Sequence, residues 1–141
     1  LDPRCFEIEI TESAMMTQPE RAIKDLSLVR DLGVSIALDD FGTGYSSFSY
    51  LHRFPIDTLK IDRSFIKEIG EKTDHTEIVA AIIAMAHTLK LRVVAEGIET
   101  QQQLATLVDK QCDVIQGYYF SKPVPAAEIP ALLKKRSLKS A

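Results

Sequence analysis

Cysteine is scarce in this 141-residue chain, with Cys5 and Cys112 its only thiols. They make neither a disulfide framework nor the paired spacing of a zinc site, so a reduced, cytoplasmic setting is expected. No long uncharged apolar run is present, which excludes a membrane-spanning helix. The opening "LDPRCFEIEIT" lacks the basic-then-apolar start of a signal peptide. It also lacks an initial Met, so the chain is expected to be a piece of a longer protein whose upstream anchor, if any, lies out of view. Neither sign of charge dominates: 17 Lys and Arg against 20 Asp and Glu leave a net charge of -3. That balance gives no basic stripe for a DNA or RNA polymer. Linkers, low-complexity stretches and a second domain are missing too.

What remains is a soluble-type composition, 45% apolar and 26% charged, long enough for one core. Short apolar runs alternate with helical patterns. "CFEIEIT" reads as a strand with Phe6, Ile8 and Ile10 on one face. Thr17 and Glu20 have capping-box spacing ahead of a helix carrying Ile23, Leu26 and Val29, with Gly33 as its stop. "VSIAL" is a second strand, "SSFSYLHRF" a short helix and "TLKID" a third strand. Asp74 and Glu77 open a long helix through Ile78, Ile82, Met85, Ala86 and Leu89. "RVVAEGI", a helix opened by Thr100 and Gln103, "DVIQGYYF" and a helix over 126–135 complete the pattern. Alternation of this kind predicts an α/β fold with parallel strands. Periodicity alone leaves open sheet and closed barrel undecided.

The polar residues that break the pattern share one location. Glu9 and Glu12 end strand one, and Asp39 and Asp40 end strand two. Lys60 and Asp62 end strand three, Glu96 and Glu99 strand four, Gln116 strand five. In parallel α/β folds that edge binds ligands. Clustered carboxylates need protons or cations among them, and oxygen-only donors suit magnesium or manganese. Each residue also has a plain reading. Glu12 can be a helix N-terminal charge, Glu99 an exposed acid beside a cap, Lys60 a surface lysine, and Gly42 and Gly44 turn glycines. Repetition over five strands favours the shared rim. His52, His75 and His87 have no ligand spacing and read as surface or packing residues.

The motifs "EITES", "DDFGTGYSS", "LKIDRSF", "VVAEGIET" and "QGYYFSKP" resemble, in order and spacing, the C-terminal half of EAL domains. That family comprises bacterial cyclic di-GMP phosphodiesterases. The resemblance implies a TIM-type (β/α) barrel, here a partial barrel of about five βα units, over 1–135, with a basic, disordered tail at 136–141. It implies hydrolysis of cyclic di-GMP to linear pGpG with two Mg2+ or Mn2+ ions in the intact domain. Glu9 resembles a first-metal ligand, Asp39 the carboxylate bridging both ions, and Asp40 and Glu96 ligands of the second. Lys60 and Gln116 resemble the residues that touch and hold the nucleophilic water, with Lys60 itself held by Asp40 or Asp62. Glu12 resembles the brace of the loop Phe41, Gly42, Thr43 and Gly44, which borders the metal site and a dimer interface. Glu99 resembles a supporting acid.

The glutamate of the family's EAL tripeptide and an asparagine ligand lie outside these motifs and are absent. The isolated chain is therefore expected to bind metal partly or not at all, to be inactive, and to self-associate as a homodimer or larger species through open strand edges. Upstream sensory or diguanylate cyclase domains fit the family. Two other readings carry less weight. A non-catalytic cyclic di-GMP-binding module usually loses acids that are intact here. A receiver-type phospho-acceptor places its acids on other strands.

Overall fold

In a computed structural model, residues 1–42, 48–70 and 73–137 are described. The strand and helix patterns alternate as the sequence predicts. Strand β1 (Glu7–Thr11) leads to helices α1 (Glu12–Thr17) and α2 (Pro19–Asp31), and β2 (Ser35–Phe41) to α3 (Phe48–Leu51). Next, β3 (Thr58–Ile61) is followed by α4 (Arg63–Lys67) and α5 (Thr73–Thr88), and β4 (Arg92–Ala95) by α6 (Gln101–Asp109). The short β5 (Val114–Ile115) and α7 (Ile129–Ser137) complete the order.

The strands form one sheet in sequential order, every neighbouring pair parallel. A doubly wound sheet reverses its strand order at a switch point, whereas a (β/α) barrel wall never does. The sheet is therefore a five-unit partial barrel of the TIM type. Its centre is the driest part. All four residues of β3 are buried, and Ile36, Leu38, Leu59, Ile61 and Val93 have no exposed surface. Each such side chain contributes roughly 1.5–3 kcal/mol by leaving water. Helix α5 lays Val79, Ile83 and Ala86 against the sheet at helical spacing, and α6 adds Leu107.

Four local expectations are corrected. Thr17 and Glu20 do not form a capping box: Thr17 ends α1, donating its hydroxyl to the Ser13 carbonyl at 3.0 Å. Helix α2 instead starts with Pro19 in its first turn and no side-chain cap. Helix α1 itself was not foreseen; its signal is Thr11, which accepts from the Ala14 N–H as N-cap. The face of Phe6, Ile8 and Ile10 is covered only in part: Ile10 packs against the core, while Phe6 and Ile8 are 48% and 42% exposed at the edge of the sheet. The fifth strand is two residues long, and the chain then turns over Gly117–Phe120. Helix α7 runs on through Ser137, with residues 138–141 outside the described set.

Candidate functional site at the strand C-terminal rim

Parallel strands of similar length bring their C-terminal ends to one rim. Lys60 is the centre of it. The residue is 7% exposed, on the middle strand. Its Nζ lies 2.7 Å from Glu9 Oε1 on β1, 3.0 Å from Asp39 Oδ1 on β2 and 2.9 Å from Glu96 Oε1 just after β4. Burial alone would lower the Lys60 pKa, but the hydrogen bonds to Glu9, Glu96 and Asp39 outweigh it and hold the ammonium well above the ordinary lysine range. The sequence reading had Asp40 or Asp62 holding this lysine. Asp62 instead caps α4, accepting from the Ser64 N–H and hydroxyl. Burial opposes ionisation of Asp62, yet these bonds and the Arg63 N–H lower its pKa.

The adjacent pair Asp39–Asp40 has a backbone explanation. Leu38 pairs with Leu59 and Phe41 with Ile61, so β2 spends three steps where β3 spends two. The extra residue is a β-bulge, which bends the strand and re-aims side chains. Asp40 takes a φ of 54° there, a region Asp enters more readily than most residues.

Glu12 is 1% exposed and opens α1. Its Oε2 accepts the Gly42 N–H at 3.0 Å, tying α1 to the turn after β2. Phe41 is buried, while Thr43 and Gly44 lie outside the described residues. Gln116 stands one residue past β5. Its backbone bridges the rim, donating to the Ala95 carbonyl at 2.9 Å and accepting from Ile98 at 3.2 Å, while its side chain is exposed. Glu99 is also exposed, and its N–H donates to Gln103 Oε1 at 2.8 Å. None of the histidines joins the rim: His75 pairs with Glu68, His87 pairs with Asp113, and His52 is exposed.

Gln103 makes a supporting contact that its capping position does not state. Gln103 completes the α6 capping box with Thr100 as expected, but its Nε2 also donates to the Ile66 carbonyl at 3.2 Å. The capping signal marked the residue; its reach into α4 depends on tertiary packing.

Among the described residues the rim's potential ligands are oxygens, which fits a hard divalent cation in kind. Glu9, Asp39 and Glu96 already gather round one positive charge, that of Lys60. Among the described residues, no three His, Cys, Asp or Glu side chains stand as a ready ligand cluster. The ammonium is part of the arrangement, and a metal would share these oxygens with it.

A parallel α/β partial barrel with an acidic, lysine-centred rim defines a class of ligand-binding or catalytic domains. The sequence matches the EAL domain family over residues 1–123, and the chain belongs to that family. It is 53% identical over 131 residues to the cyclic di-GMP phosphodiesterase NbdA of Pseudomonas aeruginosa, covering 92% of this chain and 17% of the relative. The solved PaMucR phosphodiesterase–c-di-GMP complex matches with a TM-score of 0.88 at 43% identity, over 92% of this chain and 52% of that one. The manganese/cy-diGMP complex of Klebsiella pneumoniae BlrP1 matches with a TM-score of 0.80 at 36% identity, over 87% and 31% respectively. The chain thus spans less than a fifth of NbdA and about half of the solved MucR phosphodiesterase chain.

Proposed function

We propose that this chain is the C-terminal portion of a metal-dependent phosphodiesterase domain that hydrolyses cyclic di-GMP to linear pGpG in bacterial second-messenger signalling. The observation that carries the reading is the gathering of Glu9, Asp39 and Glu96 on Lys60 at the strand C-terminal rim. The names of NbdA and of the solved MucR complex support the substrate, and the BlrP1 manganese complex supports a divalent ion.

In this reading Glu9, Asp39, Asp40 and Glu96 would hold the divalent ions. Such ions supply charge stabilisation to a phosphoryl group and a strong nucleophile from water. The chain's own residues do the positioning. Lys60 presents a buried ammonium beside the attacking water, as an electrostatic anchor or as the proton acceptor after it gives up a proton. Gln116 orients that water from the neighbouring strand end. Glu12 keeps the turn after β2 in place through the Gly42 N–H, and Glu99 supports its own loop. Residues 1–135 form the C-terminal portion of that domain, which is cytoplasmic and self-associates through the rim loop or the open edges. Upstream sensory or cyclase domains control it; the MucR relative is named as a bifunctional cyclase and phosphodiesterase.

The sequence 1–141 holds neither the EAL glutamate nor the asparagine ligand, so the isolated chain has partial or no metal occupancy and little turnover. The test compares this chain with a version extended upstream through a full barrel, assayed with Mn2+ and cyclic di-GMP. The expected result is pGpG from the extended protein and at least a hundredfold less from the chain. Equal turnover overturns the fragment argument. Tight binding without cleavage by the extended protein overturns the enzyme reading in favour of a binding module.

A further inference from the structure

Helix α4 is only five residues long, and it follows Lys60 by three positions. It is firmly anchored on its inner side. Ile66 has no exposed surface, and Ile69 in the turn after the helix is 4% exposed; the Gln103 amide holds the Ile66 carbonyl; Asp62 caps its start. Two of its residues, Phe65 and Arg63, reach the two turns that flank Lys60. A Cβ built on Gly42 would lie 2.7 Å from both Cε2 and Cζ of Phe65, and one built on Gly97 would lie 2.6 Å from Arg63 Cβ. Both glycines have positive φ, 98° and 77°, which L side chains adopt only with strain. Gly42 follows Asp40 by two residues, and Gly97 follows Glu96 directly.

We propose that Phe65 and Arg63 are positioning residues. Helix α4 is a wedge that sets the gap between the Asp39–Asp40 turn and the Glu96 turn, and so the span across which Lys60 reaches both. Phe65 acts with its ring edge and Arg63 with its Cβ, not its charge. The consequence for metal binding rests on the phosphodiesterase reading; the mechanical role does not.

The test is amide hydrogen exchange on the 141-residue chain. The Gly42 N–H is held by Glu12 and the Glu96 N–H by the Ile61 carbonyl. Val93, held by Asp113 at the opposite end of the sheet, is the control. Phe65→Ala is expected to speed exchange at Gly42 at least tenfold and Arg63→Gly to do the same at Glu96, with Val93 within twofold of wild type. Arg63→Ala, which keeps the Cβ, is expected to be silent, and Phe65→Leu to restore part of the Gly42 protection. Lys67→Gly measures the cost of a glycine in α4 as such. Rates within twofold of wild type at Gly42 and Glu96 overturn the wedge, as does an Arg63→Ala effect equal to that of Arg63→Gly. If Phe65→Ala does not fold, Phe65→Leu and Arg63→Gly decide. A Mn2+ titration followed by electron paramagnetic resonance then separates the two ideas. Weaker Mn2+ binding by Phe65→Ala extends the wedge to the metal. Exchange changes in a chain and an upstream-extended protein that both ignore Mn2+ keep the wedge and count against the metal reading.

Discussion

At the N-terminal end of the strands, Asp57 and Asp113 each stand one residue before a strand. Each accepts the N–H of the second residue of the preceding strand: Asp57 from Ile36 at 3.1 Å, Asp113 from Val93 at 2.8 Å. Each also faces its own basic partner, Arg30 at 3.1 Å and His87 at 2.9 Å. At the C-terminal end, Glu9, Asp39 and Glu96 converge on the single ammonium of Lys60. Carboxylates at one end of the sheet are individually matched; at the other they share. Matched acids fix the register of the strands. Shared acids leave three carboxylates on one ammonium, an excess of negative charge that the proposed metal reading would use.

The largest expected effect comes from removing the shared charge. Lys60→Met leaves three carboxylates round an apolar side chain and should cost about 2–4 kcal/mol of stability at neutral pH. Added Mn2+ should restore more of the melting midpoint in the variant than it adds to wild type. An unchanged midpoint without metal would mean that the rim tolerates its repulsion unaided. Breaking a matched acid should cost less: Asp113→Ala loses bonds to Val93 and His87, worth about 1–2 kcal/mol. Mn2+ affinity should not move in that variant, and a clear drop would couple the two ends.

The smallest effect is a pH slope. Burial pushes the Asp113 carboxyl up, but the Val93 N–H and His87 outweigh it, leaving the pKa below the ordinary Asp value. A carboxylate depressed on folding stabilises above its unfolded pKa, and that contribution fades as pH falls through the lowered folded value. Wild type should therefore lose stability below about pH 4 more steeply than Asp113→Asn. Parallel acid limbs would assign the slope to other groups.

The location of the acids was legible because β-strand residues announce their ends: apolar runs stop at Asp39, Lys60 and Glu96. The order of the elements was legible for the same reason. The partner of Lys60 was not, since Asp62 is close in sequence but turns away to cap α4, while Glu9 and Glu96 arrive from other strands. Lateral neighbours depend on register, which a single sequence states only weakly. The exposure of Phe6 and Ile8 was hidden for a related reason. Alternation marks an apolar face without saying whether anything lies over it.

The bulge at Asp39–Asp40 has one more consequence, which concerns parity. Leu59 and Ile61 are two residues apart on β3 and share a face. Leu38 and Phe41, their partners, are three apart on β2, yet both are buried. The odd residue is what returns Phe41 to the inside. Replacing either aspartate would change the charge of the rim and leave this count intact. Deleting one would flip Phe41 to the opposite face, taking it out of the core and the Gly42 N–H away from Glu12. The doublet is thus a unit of length as well as of charge, and a rim transplanted onto another sheet would have to carry both.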